Sequence, residues 1–197
     1  MKKLQVLTLA ASLALAAAAC GDGGKAAAEA GIGTAQNALD TVKDEAARYV
    51  PDEVKSIENS LSGARDTFEK GNYLQALAEA QRLPPQVAAL AASMAAKKAE
   101  FSKEWSAMEA ALPEAIDGIQ RRIGALTKSK RLPAGVTKEG FAAAQSGAEL
   151  VAKTWAEATE ALKTGNVADA VEKARAVKAK AVEVMTALHM NVPDSLK

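Results

Sequence analysis

Apolar residues in this chain return at steps of three and four, a period that lines one face of an α-helix and that no strand can use. Val54, Ile57, Leu61, Ala64 and Phe68 form the cleanest such stripe. Val87, Leu90, Met94, Phe101, Trp105, Met108 and Leu112 keep the same phase apart from one lysine-filled position, and Ile116, Ile119, Ile123 and Leu126 carry it past Pro113. Runs of β-branched residues between turn signals, the mark of strands, are missing. With 197 residues the chain can bury a core. Its 49% apolar content is largely alanine and only 4% is aromatic, which favours helices packed through thin, close interfaces. The expected fold is all-α, an up-and-down bundle of about five or six helices.

A duplication organises that bundle. GNYLQALAEA at residues 71–80 has a near-echo, GNVADAVEKA, at residues 165–174, an offset of 94. In each, glycine can take the left-handed conformation that closes one helix while asparagine caps the next. Gln75 stands where it could complete a capping box, and Asp169 holds the same place in the second copy. At that offset Ile57, Leu61, Ala64 and Phe68 align with Val151, Trp155, Ala158 and Leu162. Ala76, Leu77, Ala80 and Leu83 align with Ala170, Val171, Ala174 and Val177. We therefore expect two related hairpins, at about 52–95 and 138–190, joined by bridging helices at about 96–129.

Proline and glycine set the expected boundaries. A short first helix from Ala35 should stop at Val50-Pro51, and Asp52 and Glu53 suit the first turn of the next helix. Pro84-Pro85 should kink or restart a helix, and Pro113 should break or bend one. Lys128 to Gly135 reads as a loop, and the last helix should end near Met190, before Pro193.

The first residues have a different character. Lys2 and Lys3, the apolar run Leu4 to Ala16 and the small residues Ala17-Ala18-Ala19 before Cys20 have the form of a secretory signal, residues 1–19. Cys20 is the chain's one cysteine, so an internal disulfide is excluded. The segment resembles the lipobox of bacterial lipoproteins, with Ala17 where that family usually has leucine. The resemblance implies cleavage before Cys20, lipidation of that residue and anchoring in the cell envelope facing the periplasm. Gly21 in place of an aspartate directly after the cysteine leans, in that family, toward the outer membrane. Residues 20–35 are glycine-rich and poor in bulky apolar side chains, so a flexible tether spanning about 20 Å is expected, with one helical domain at 36–192.

Charge and residue inventory narrow the function. Losing Lys2 and Lys3 leaves 23 basic and 24 acidic residues, a formal charge of about −1, which gives no reason to expect nucleic acid or an anionic lipid surface as a partner. Arg121, Arg122 and Lys128 through Arg131 read as cations at a helix end. His189 is the one histidine, so multi-histidine metal sites and H-E-x-x-H are excluded, and no G-x-S-x-G accompanies it. Met185, His189 and Met190 could suit Cu(I), but helix-end exposure or packing explains them more simply. No catalytic residue, metal site or cofactor is expected. Trp105, Trp155, Met94 and Met108 are either core anchors or the lining of a small-ligand pocket.

Residues 49–80, YVPDEVKSIENSLSGARDTFEKGNYLQALAEA, resemble the helical hairpin of uncharacterised bacterial envelope lipoproteins. Around the turn, Gly71, Tyr73, Ala76, Leu77 and Ala80 also resemble a tetratricopeptide hairpin, although the 94-residue offset does not fit a contiguous array. These resemblances imply an envelope location and a non-enzymatic role. The expectation is an anchored interaction, adaptor or accessory module with an envelope protein partner; the alternative is a carrier or sensor holding a small apolar ligand between helices.

Overall fold

A computed structural model describes residues 24–129 and 132–197; the lipobox and Cys20 lie outside the described residues. The chain is all-α. Among the described residues six helices follow in order: α1 (Lys25–Ala46), α2 (Pro51–Glu69), α3 (Tyr73–Ala80), α4 (Leu83–Lys128), α5 (Lys138–Lys163) and α6 (Val167–Ala187), then a 3-10 turn at Asp194–Leu196.

The bundle is built around two cores. Helices α1, α2, α3 and the start of α4 enclose the first, which contains Ile32, Leu39, Ile57, Leu61, Leu83 and Leu90. The remainder of α4 with α5 and α6 encloses the second, centred on Trp105, Leu112, Ile119, Val151, Val177 and Leu188. Contacts across α4 fix the directions of its neighbours. Lys98 meets Glu45 at 2.6 Å and Phe101 meets Tyr49 at 5.9 Å, so α4 runs toward the end where α1 stops. Farther along, Glu104 pairs with Arg175 and Arg122 reaches the Leu188 carbonyl at 3.4 Å, so α6 runs alongside α4, with α5 returning between them. Each core is thus an up-down-up set of three helical layers. The 46-residue α4, about 69 Å long at 1.5 Å per residue, belongs to both.

The duplicated turns have matching geometry. Gly71 and Gly165 take φ values of 80° and 83°, the left-handed region where a side chain is strained. The Asn72 N–H donates to the Thr67 carbonyl (3.1 Å) and the Gly71 N–H to that of Phe68 (2.9 Å); Asn166 and Gly165 donate likewise to Ala161 and Leu162, both at 2.9 Å. These paired bonds satisfy the last carbonyls of α2 and α5. Only the second turn has the expected side-chain cap, in which the Asn166 Oδ1 accepts from the Asp169 N–H at 3.3 Å. No capping box forms at Gln75, whose amide donates instead to Glu79 at 2.9 Å. The alanine rows are buried as expected: Ala76, Ala80, Ala170 and Ala174 are all within 1% of full burial.

Several sequence expectations are corrected. The tether ends much earlier than residue 35, because α1 already starts at Lys25 and Ala28, Ile32 and Ala35 are buried. At Gly31 low bulk serves close packing: a Cβ added there would stand 3.4 Å from both the Ala80 Cβ and Leu77. That helix also stops at Ala46 and not at Val50, while α2 starts on Pro51 as expected. No separate bridging helices exist at 96–129, since α4 continues unbroken through Pro113. Proline removes one ladder bond at a cost of about 3 kcal/mol, but Met108, Leu112, Ile116 and Ile119 on either side are all buried in one stripe that holds the helix together. Finally, α6 stops at Ala187, and the folded region extends past residue 192, because Leu196 is buried against the second core.

Where α5 meets α6 at Gly147 the helix spacing leaves no room for an added side chain. Gly147 on α5 would put a Cβ 2.6 Å from the Val184 Cγ2 on α6, whereas Gly63 on α2 has nothing within 4 Å. Gly147→Ala should therefore destabilise by about 1–3 kcal/mol through overpacking, while Gly63→Ala stabilises by about 0.4–1 kcal/mol through helix propensity and unfolded-state entropy. Ala174→Leu should behave like Gly147→Ala, losing about 1–3 kcal/mol. Denaturant midpoints of the three variants check the signs.

Candidate functional site

The four residues expected to line a pocket do not converge. Trp105 is 4% exposed and stacks on the half-buried Trp155, ring centroids 5.3 Å apart and planes within 5°. The pair ties α4 to α5 and acts as a core anchor. Met108, one turn on, is buried in the same core, whereas Met94 packs against the first core. Eleven residues of helix, about 16 Å, separate Met94 from Trp105. The Trp105 indole N–H has no hydrogen-bond partner in the structure, so burial of the ring dominates its role.

The feature that could receive a partner lies beside this pair, along the seam of α4 and α6. A groove of about 590 Å³ has Ala107, Met108 and Ala111 of α4 on one wall and Ala179 and Val182 of α6 on the other. Small residues on both helices create it, because alanine fills little of the space between two helix surfaces. Leu196 and Lys197 form one end, and a second hollow of about 420 Å³ continues past Ser195 toward Gly118, Met185 and Pro193. The segment from Pro193 to Lys197 therefore lies in the seam with room on either side. It is pinned by Leu196, 3% exposed, and by the Lys178 ammonium, which donates to the Lys197 main-chain carbonyl at 3.1 Å.

Charge sits on the rim. The Arg175 guanidinium grips the Glu104 carboxylate through two bonds, Nε at 2.6 Å and Nη2 at 2.5 Å, and lies 5.3 Å from the Phe101 ring. Those hydrogen bonds hold the Glu104 carboxyl below its usual range and raise Arg175 above its own. Bidentate geometry and a partly covered site make this the best-formed ion pair on the surface of the second core.

The residues considered for copper have structural places. Met185 is buried in the second core, and the Met190 methyl lies near Gly118. His189 has φ 52°, a conformation usually given to glycine, and ends α6 with the same bond pair as Gly71 and Gly165: Met190 N–H to Met185 (2.8 Å) and His189 N–H to Thr186 (3.0 Å). Its ring lies against Gly135, where an added Cβ would be 2.9 Å from Nε2. Among the described residues no three His, Cys, Asp or Glu side chains gather in a possible metal site. Arg122, expected at a helix end, does serve one, but it is the end of α6 and not of its own helix.

Sequence reading singled out neither Glu104, Arg175 nor the Pro193–Lys197 segment for a role. Glu104 and Arg175 are 71 positions apart, and nothing local marks either. The one sequence signal was the alanine-rich composition, which implied close helix approach without showing that Ala107, Ala111 and Ala179 would line an open seam.

The Glu104 shift fixes a sign for pH dependence. A carboxyl held low in the fold contributes stability above its unfolded value of about 4.3, and loses it as pH falls through the lower folded value. Because both side chains are partly exposed, screening limits the contribution to less than about 1 kcal/mol. Glu104→Gln should thus be less stable than wild type at neutral pH by less than about 1 kcal/mol, and the difference should close as pH falls through and below the usual carboxylate range, as thermal melts from neutral to acid pH would register.

The chain matches no protein-family model, no curated protein and no solved structure, so its function is argued from its own residues and geometry.

Proposed function

We propose that this chain is a lipid-anchored helical protein of the bacterial cell envelope, facing the periplasm, that acts by protein–protein contact as an adaptor, scaffold or accessory module. The lipobox-like segment ending at Cys20 supports the anchor. Multiple acyl chains on such a cysteine hold a protein stably where one chain does not. No helix of the described residues is long and apolar enough to cross a membrane. Gly21 after the cysteine favours the outer membrane in this reading. The role needs no catalytic residue or cofactor.

The observation that carries the contact role is the seam between α4 and α6. Its floor is apolar, its rim is charged, and one stretch already holds an apolar side chain, Leu196, from the 3-10 turn at the end of the same chain. A partner presenting an apolar anchor beside a carboxylate or amide would meet the same surface, with Lys178 and Arg175 at the edge. A small apolar ligand is the second reading, since about 590 Å³ is within the size of ligand pockets. The groove's open side favours a protein partner, because enclosing a small ligand needs walls all round.

Two experiments test the proposal. A photocrosslinking residue at Ala179 in cells should give one discrete protein adduct that Val182→Glu abolishes; crosslinking unaffected by Val182→Glu would count against the groove. For the anchor, Cys20→Ser should move the protein to the soluble fraction, and a variant that stays with membranes after cleavage would rule lipidation out as the cause.

A further inference from the structure

We propose that the turn between α2 and α3, together with the first turn of α3, is a membrane-docking tip, which inserts Leu74 into the phospholipid surface and fixes how the bundle stands on it. This rests on the anchor reading above and adds an orientation to it.

Among the described residues Leu74 is the most exposed large apolar side chain, with 71% of its surface in water. It does not lie at an arbitrary place. A Cβ added at Gly24, the residue just before α1, would be 3.0 Å from the Leu74 Cδ2, so the chain enters the bundle against this side chain. Gly24 stands four positions after Cys20, a span of at most about 14 Å. A lipidated Cys20 therefore keeps this end of the bundle within one short reach of the bilayer, and Leu74 is the apolar group that end presents.

The neighbours suit an interface. Tyr73 packs on Phe68 at 5.1 Å between centroids, and the Lys25 ammonium stands 6.0 Å from the Tyr73 ring. An amphipathic ring, an exposed leucine and a cation on a flexible stem are the groups that settle at the boundary of headgroups and acyl chains. Lys25 and Lys70 against Glu69 leave one net positive charge at this tip, worth only about 1 kcal/mol on an anionic surface. Insertion is consequently driven by burial of Leu74 and does not require anionic lipid. The second exposed leucine, Leu150 at 52%, belongs to α5 in the other half of the molecule and serves as the internal comparison.

The test supplies the anchor chemically, so that it does not depend on acylation in the cell. The chain from Cys20 onward is coupled through that thiol to a maleimide lipid in phosphatidylcholine vesicles, with and without bromine on the acyl chains. Leu74→Trp and Leu150→Trp each add one indole to the background of Trp105 and Trp155. Bromolipid should quench most of the emission added by Leu74→Trp and none of that added by Leu150→Trp, unchanged at high salt. Emission from Leu74→Trp that escapes quenching, or equal quenching at both positions, would overturn the docking tip. Membrane retention of Cys20→Ser in cells bears on the anchor alone, so the two ideas fail separately.

Discussion

The fold depends on α4 burying two different stripes along one unbroken hydrogen-bond ladder. Leu83, Val87 and Leu90 face the first core; Trp105, Met108, Leu112, Ile116 and Ile119 face the second. Proline at position 113 would end an isolated helix, since it removes a donor and crowds the preceding turn. Here α5 and α6 already surround the helix on both sides of that residue, and their contacts with it are lost unless it continues. The same continuity places the two hairpins in succession along one axis, and so fixes where the α4–α6 seam lies and which end of the molecule carries the start of α1.

Alanine gives that arrangement its character. Where both partners of a helix pair present alanine or glycine, as Ala80 does to Gly31, the backbones approach closely and the interface is thin. Stacked aromatics then fill the wider layer at Trp105 and Trp155. Between those extremes, exposed alanines on α4 and α6 leave the groove that we propose receives a partner. Thin packing and an open seam thus have one cause, side chains too small to fill the space between two cylinders.

Much of this was legible in the sequence. The stripe from Val54 to Phe68 and the two Gly-Asn turns located α2, α5 and the hairpins, because helical period and a left-handed glycine are local properties. Burial of Ala76, Ala80, Ala170 and Ala174 followed from their alignment in the duplication. What misled were features whose meaning depends on a distant contact. The stretch from Lys25 to Ala35 has the composition of a linker, yet it is the first half of α1, with Ala28 and Ala35 buried and Gly31 against Leu77 and Ala80 of α3. Gln75 has a capping position and spends its amide on Glu79. His189 occupies a backbone conformation that nothing in its local sequence announces.

Helical class, the duplication and the turn positions follow from the sequence, since each depends on residue type and on spacings of a few positions. Tertiary structure alone decided where the first helix begins, that Pro113 is tolerated, that Glu104 meets Arg175 and that Leu196 enters the seam. Those outcomes are set by side chains tens of residues apart, whose attraction exists only after the helices have packed.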